Sequence, residues 1–218
     1  MERSKSYRDR RDAGQQLAGL LAQNPWPPST LVVALPRGGV PVAAEIATRL
    51  KLALDVLVVR KLGLPEEPEV AMGALASGDV VIVNDWILSC LPNPREAFDQ
   101  VLAIERAELE RRENAYRPGR AALAVEGRRV IVVDDGLATG ATMRAAVEAL
   151  RRRGATRRVV AVPVASREAY EDLGKVADAV LCPWIPADFG GVGRFYEDFS
   201  QTSDNEVREL LVQMEAAS

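Results

Sequence analysis

Hydrophobic and polar positions along the chain switch repeatedly between a period of two and a period near 3.6. From about Tyr7 to Ala22 the pattern is that of an amphipathic helix, stopped by Asn24-Pro25-Trp26-Pro27-Pro28. Leu31 to Leu35 reads as a buried strand, Val40 to Leu50 as a helix, and Leu54 to Val59 as a second strand. Val80 to Val83 is a third strand, predicted to pair as a hairpin with the stretch before Ser77-Gly78-Asp79. Pro94 to Tyr116 is a long charged helix with Ile104 and Leu109 among its few apolar anchors. The β-branched run Val130-Ile131-Val132-Val133 is a fourth strand, and Thr142 to Leu150 follows as a helix with Met143, Ala146, Val147 and Leu150 on one face. A strand at Val159 to Val164, a helix from about Arg167 to Leu173, a short strand near Ala179 to Cys182 and a helix from Asp204 to Met214 complete the series, with no internal repeat. Strands alternating with helices predict an α/β fold: an open, mainly parallel sheet covered by helices on both faces.

Composition narrows the picture. The chain has 218 residues, 48% of them apolar, which suits one domain over 1–218 with a sizeable core. A net charge of −3 gives no general attraction to nucleic acid or anionic membranes. The local cluster Arg151-Arg152-Arg153 and Arg157-Arg158 falls at the end of the helix after the fourth strand, where cations complement the dipole and Gly154 supplies the cap. Two cysteines, Cys90 and Cys182, are too few for a disulfide framework, and no apolar run of spanning length occurs, so a cytoplasmic location is expected. The chain contains no histidine, which removes histidine general bases, H-E-x-x-H zinc sites and the Ser-His-Asp triad together. There is no G-x-x-x-x-G-K-[ST], and Gly191-Val192-Gly193 lacks the third glycine of a dinucleotide fingerprint.

The densest chemistry lies in Val130 to Thr142, VIVVDDGLATGAT. A turn between a strand's carboxyl end and a helix's amino end presents unpaired N–H groups, here those of Ala138 to Thr142, and the helix dipole adds to their attraction for an anion. Gly140 permits a tight backbone, and Thr139 and Thr142 offer hydroxyl donors. The turn asks for a phosphate. Asp134 and Asp135 beside a dianion need donor-rich partners, and vicinal ribose hydroxyls are such partners. These thirteen residues resemble the phosphoribosyl pyrophosphate (PRPP) signature of the type I phosphoribosyltransferases. The resemblance implies that Asp134 and Asp135 hold the ribose hydroxyls, and that Gly136, Ala138, Thr139, Gly140, Ala141 and Thr142 hold the 5′-phosphate.

Loops after the other strands should converge on this turn, because ligands of open α/β sheets sit outside the carboxyl ends of the strands. Leu35-Pro36-Arg37-Gly38-Gly39 leaves a strand and enters a helix, with glycines that let amides approach a ligand and an arginine able to grip an anion. The resemblance assigns Arg37, Gly38 and Gly39 to pyrophosphate, in a loop that in the family often contains an unusual cis peptide. Arg60-Lys61-Leu62-Gly63-Leu64-Pro65-Glu66-Glu67-Pro68-Glu69 looks too polar and Pro-rich for core and reads as the start of a mobile lid over about 60–78. Similar enzymes close a flexible loop over PRPP, and Lys61 is the candidate basic residue that closure brings to the pyrophosphate. The segment of about 182–203 gathers aromatics in a chain that is only 5% aromatic. It resembles the hood of the hypoxanthine-guanine branch, which makes Phe189 the candidate for stacking on a base and Asp198 the candidate for the acid near magnesium. Trp184, Tyr196 and Phe199 fit stacking and hood core equally well.

Departures from that branch limit the carry-over. Ala138 stands where its purine-facing aspartate would be, as a small residue does in adenine and orotate enzymes, and Ala165-Ser166-Arg167 stands where its purine-reading lysine would be. The acceptor base is therefore not legible. The expected activity is displacement of pyrophosphate from PRPP by a ring nitrogen of a base, with Mg2+ travelling with PRPP. The alternatives are a PRPP- or nucleotide-sensing regulator of the same fold that binds RNA, and a hydrolase using water as acceptor. PRPP synthetases, which share a similar signature, are duplicated and longer. Related enzymes are often dimers, and the Pro94 to Tyr116 helix with the terminal helices forms the candidate homodimer surface.

Overall fold

The computed structural model describes residues 6–68, 70–119 and 123–216. Its centre is a five-stranded parallel sheet of β1 (Leu31–Ala34), β2 (Ala53–Val56), β6 (Arg129–Val133), β7 (Arg157–Ala161) and β8 (Ala179–Leu181), in the order β2-β1-β6-β7-β8. Every residue of β1 is buried, as a strand covered on both faces requires. Alternate side chains go to opposite faces. Val32, Ala34, Ile131 and Val133 join α1 (Arg10–Leu21), α2 (Gly39–Leu50) and α7 (Asp204–Ala216) in one hydrophobic cluster. Leu31, Val33, Val130 and Val132 join α5 (Ala141–Arg152) and α6 (Arg167–Leu173) in a second. The expected α/β fold, an open parallel sheet with helices on both faces, is what the chain adopts.

The expected strand from Leu54 to Val59 is instead two strands. The amide of Leu57 donates to the Ala34 carbonyl as the last bond toward β1, and β3 (Val59–Gly63) then turns into a second sheet with β4 (Ala71–Ala76) and β5 (Val80–Val83), all antiparallel. Ser77 fixes the switch. Its buried hydroxyl accepts from the Val58 amide at 2.9 Å, and its own amide donates to the Val58 carbonyl at 2.9 Å. The hairpin expected around Ser77-Gly78-Asp79 is present as the β4–β5 pairing.

This second sheet corrects the expectation that the stretch after Val59 is too polar for core. Leu62, Met72 and Leu75 are fully buried, whereas Lys61, next to Leu62, is exposed. Strand alternation thus hides the apolar half of a sequence whose average is polar. The turn between β3 and β4 holds Pro65, Glu66, Glu67 and Pro68; Glu69 lies outside the described residues. Two short elements have no counterpart in the sequence pattern: α3 (Asp85–Ser89), capped by the Asn84 side chain, and a 3-10 turn at Val192–Phe195.

The long helix α4 (Pro94–Tyr116) has the expected bounds, begins on proline, and buries Phe98, Leu109 and Tyr116. Ile104, expected among its anchors, is instead 68% exposed. Its far end is tied to β2 by Arg117, which donates to both oxygens of Asp55 at 2.8 and 2.9 Å. Segment 182–203 folds against the start of the chain: Tyr7 donates to the Phe195 carbonyl and accepts from Glu197, and Trp184, Phe189, Phe195 and Tyr196 pack with Tyr7 and Val164.

Candidate functional site

The signature turn leaves β6 between its neighbours β1 and β7. Leu137 is pinned by its amide to the Val164 carbonyl and by its carbonyl to the Ser166 amide, both at 2.9 Å, and the Ser166 hydroxyl donates to the Ala138 carbonyl at 2.6 Å. Gly140 caps α5 at φ 70°, a left-handed conformation that glycine adopts without steric cost. Among the described residues, the amides of Ala138, Thr139 and Gly140 donate to no backbone carbonyl. The amide of Ala141 takes only a long contact of 3.4 Å to the Thr139 hydroxyl. Three consecutive amides without backbone partners stand at the head of a 12-residue helix, an arrangement able to receive an anion. Thr142 lies in the first turn of that helix, and Gly136 packs beneath Val192 of the hood.

The two acids have different surroundings. Asp134 accepts the Asp135 amide on Oδ1 at 2.8 Å. Burial of its carboxyl first, and the neighbouring Asp135 charge second, push its pKa well above the usual carboxylate range. Asp135 is held from two sides. Arg10, at the start of α1, donates from Nε to Oδ2 at 2.8 Å, with both side chains largely shielded. Tyr196 donates its hydroxyl to the Asp135 carbonyl at 2.6 Å, and burial keeps that phenol protonated by raising its pKa.

The loop Leu35–Gly39 ends β1 next door, and its Pro36–Arg37 peptide bond is cis. Gly38 lies against Asp135 so closely that an added Cβ would sit 2.6 Å from the Asp135 Cγ. Gly39 likewise backs onto Asp134. The sequence-predicted pyrophosphate loop and acid pair are therefore adjacent. Arg37 is engaged on the other side: a guanidinium nitrogen lies 3.6 Å from Oδ1 of Asp204 on α7, and the same oxygen accepts the Tyr116 hydroxyl at 2.7 Å. Burial, then that hydrogen bond, pushes the Tyr116 phenol up to about 12.

Other candidates lie farther out. Lys61 sits on β3 opposite Ala74 and lines a groove of 380 Å³ beside Val101, Ile104 and Glu105 of α4. No described residue lining that groove belongs to the signature or to the Leu35–Gly39 loop. A larger cavity of 580 Å³ lies beside the signature turn, lined by Thr139, Ala141 and Arg144 together with Ala74 and Asn84; neither Asp134 nor Asp135 lines it. Phe189 is half-buried and stacks on Phe195 with centroids 5.6 Å apart, and Trp184 meets the same ring edge-on at 4.7 Å. Those contacts make Trp184 and Tyr196 part of the hood core, whereas Phe199 is 38% exposed. Asp198 accepts the Ser200 amide at 2.8 Å, which holds its carboxyl below the usual range.

Arg10 is the residue of this site that sequence reasoning missed. It reads as one of several arginines on an amphipathic helix, and only the fold brings it to Asp135. Besides that ion pair it donates to the Ser200 carbonyl at 2.6 Å and lies 4.1 Å above the Phe199 ring.

Residues 9–198 match the family model described as the phosphoribosyl transferase domain. A Mycobacterium tuberculosis protein named provisionally as a phosphoribosyl transferase is 45% identical over 207 residues, covering 95% of this chain and 46% of its own length. The chain thus spans about half the length of that relative. Adenine phosphoribosyltransferase of Dinoroseobacter shibae is 40% identical over 103 residues, 47% of this chain and 53% of the relative. The crystal structure of TT1426 from Thermus thermophilus superposes with a TM-score of 0.86 at 42% identity, covering 96% of this chain and 99% of that one.

Proposed function

From the premise that the chain belongs to the phosphoribosyl transferase domain family, we propose that it transfers the 5-phosphoribosyl group of PRPP to a nitrogenous base and releases pyrophosphate. One observation supports the reading: the turn at 138–140, whose amides have no backbone partner among the described residues, and the Arg37-Gly38-Gly39 turn leave adjacent strands beside a single pair of carboxylates. That spacing suits a sugar with phosphate at one end, pyrophosphate at the other and hydroxyls between. Asp134 and Asp135 take the ribose hydroxyls and offset positive charge developing on the ring. Gly136, Ala138, Thr139, Gly140, Ala141 and Thr142 receive the 5′-phosphate. Arg37, with Gly38 and Gly39, stabilises the departing pyrophosphate, a fixed-charge contribution of about 3 kcal/mol per donor.

Magnesium in this reading arrives with PRPP. Its ligands would be chiefly pyrophosphate oxygens, the hard donors it prefers. Lys61 is the second basic residue proposed for the pyrophosphate, and it reaches that group only through movement of β3 and the 60–78 lid. Phe189 is the proposed stacking ring for the base, with one face already covered by Phe195. Adenine, the base named by one relative, is the first acceptor to test.

The regulatory alternative needs a basic surface for RNA, and the arginine cluster is largely engaged within the molecule. Arg151 and Arg152 pair with Glu148 at 2.7 and 2.8 Å, Arg153 donates to the Ser77 carbonyl, and Arg158 pairs with Asp178 at 2.7 Å. Among the described residues no helix is long and apolar enough to cross a membrane. A cytoplasmic enzyme, assembled as a homodimer through α4, is the setting proposed for this activity.

The test is calorimetric titration with magnesium and PRPP, followed by a panel of nucleobases with pyrophosphate detection. Tight binding and release by one base is expected. The double variant Asp134→Asn, Asp135→Asn should fold and lose PRPP affinity; normal binding by that variant would falsify the assignment.

A further inference from the structure

Arg10 is built into the site more firmly than a surface arginine would be. Its helix is started by Asp9, whose side chain accepts the Asp12 amide at 2.8 Å, so the guanidinium is delivered from a capped first turn. That group is only 12% exposed and meets three parts of the fold at once. Nε donates to Asp135, a terminal nitrogen donates to Ser200, and the flat face lies over Phe199. It also stands 3.2 Å from where a Cβ on Gly38 would be, on the border between the acid pair and the pyrophosphate loop. A planar fork with several fixed donor directions makes such a set of contacts, and a lysine ammonium does not.

We propose that Arg10 is a positioning residue for PRPP binding: by fixing Oδ2 of Asp135 it leaves Oδ1 oriented toward the ribose hydroxyls, and through Phe199 and Ser200 it ties that orientation to the segment behind the hood. This role rests on the ribose reading of Asp134 and Asp135. The Arg10 charge also bears on the second acid of the pair. The charged groups bearing on Asp134 are Asp135 from its own turn, which holds its proton on, and Arg10 from α1, which opposes that. From the hood the neutral Tyr196 hydroxyl donates to the Asp135 carbonyl. Loss of the Arg10 charge leaves Asp134 protonated to higher pH, so PRPP binding should weaken first on the acid side.

The experiment compares wild type, Arg10→Gln and Arg10→Lys by titration with magnesium and PRPP across a pH series. Arg10→Gln is expected to bind about tenfold more weakly, the scale of one charge-assisted contact, with the acid limb moved to higher pH. Arg10→Lys is expected to keep the wild-type limb, because the charge remains, and to recover only part of the affinity, because an ammonium cannot make the forked set of contacts. Tyr7→Phe is the control for a loss of stability away from the acids: it removes the Tyr7 bond to the Pro163 carbonyl at 3.0 Å, and should lower the melting temperature without changing affinity. Phe199→Ala, at an exposed ring, keeps the test open should Arg10→Gln fail to fold; freeing the guanidinium should weaken binding by about two- to fivefold. Equal or tighter binding by Arg10→Gln, or an unmoved acid limb, overturns the role, as does unchanged affinity in Phe199→Ala where that variant stands in. Absence of PRPP binding by wild type overturns the ribose reading and this role with it, whereas wild-type binding with an indifferent Arg10 variant overturns this role alone.

Discussion

Substitution of Gly38 by alanine tests the contact on which the candidate site turns. Gly38 has φ −61°, so alanine meets no backbone penalty and the effect comes from contact alone. The new Cβ would lie 2.6 Å from the Asp135 Cγ, whereas carbons pack at about 3.5–4.0 Å, so the carboxylate must retreat by about 1 Å. Retreat toward Arg10 is closed, because Arg10 Nε is only 3.2 Å from the same Cβ. Asp135 must rotate off its 2.8 Å bond to Arg10, giving up a hydrogen bond between charged groups worth about 1.5–3 kcal/mol. If that orientation is what PRPP uses, affinity falls by about ten- to a hundredfold. Gly39→Ala is the counterpart. Its Cβ would meet the Val133 carbonyl at 2.6 Å and the Asp134 Cα at 3.0 Å, and backbone yields poorly. Overpacking there should cost about 1–3 kcal/mol, seen as a fall of roughly 3–10 °C in melting temperature for a chain of this size. Calorimetric titration and thermal melts of both variants decide the matter: wild-type PRPP affinity in Gly38→Ala refutes the argument.

Two further outcomes follow from the packing and the acid pair. Leu62→Ala removes a fully buried side chain from β3 and should cost about 2–5 kcal/mol in denaturant unfolding; a loss under about 0.5 kcal/mol would mean that the second sheet is not packed as described. Asp134→Asn should raise stability at neutral pH, because a carboxyl whose folded pKa lies above its unfolded value of about 3.9 destabilises the folded state once ionised. The penalty in wild type grows as pH rises from the unfolded value through the folded one and is absent below about pH 4, so the two denaturation midpoints should converge there; a constant gap across that range would show that the asparagine acts otherwise.

Much of the fold is legible because it is local. The β-branched run into β6, the glycine at positive φ and the amides of the turn lie within one stretch of chain, and their chemistry needs nothing from elsewhere to be recognised. Helix α4 and helix α6 have the bounds that their patterns and caps imply. Failures occur where a distant residue decides. The strand expected to run to Val59 divides at Val58, whose backbone is bonded by Ser77, 19 residues on. The polar look of residues 60–69 conceals Leu62, whose burial depends on a sheet partner that composition does not announce. Spacing alone makes Ile104 an anchor, while the face of α4 that packs inward is set by Phe98, Leu109 and Tyr116.

The site divides along the same line. Asp134, Asp135 and Arg37 announce themselves through their loops, but the partners that set their charge come from across the fold: Arg10 from 125 residues before Asp135, and Asp204 with Tyr116 at Arg37. Two adjacent carboxylates at the end of one buried strand are unfavourable by themselves, so a stable resting site requires countercharge or retained protons. Here Asp135 receives the first, while burial and the Asp135 charge raise the pKa of Asp134. Arg37 is balanced in turn by Asp204, at 3.6 Å a looser contact than the 2.8 Å pair at Asp135. The looser pair lies on the loop proposed to receive pyrophosphate and the tighter one at the acids proposed to hold the sugar. An incoming polyanion would therefore compete most readily for Arg37, while Asp135 stays oriented by Arg10.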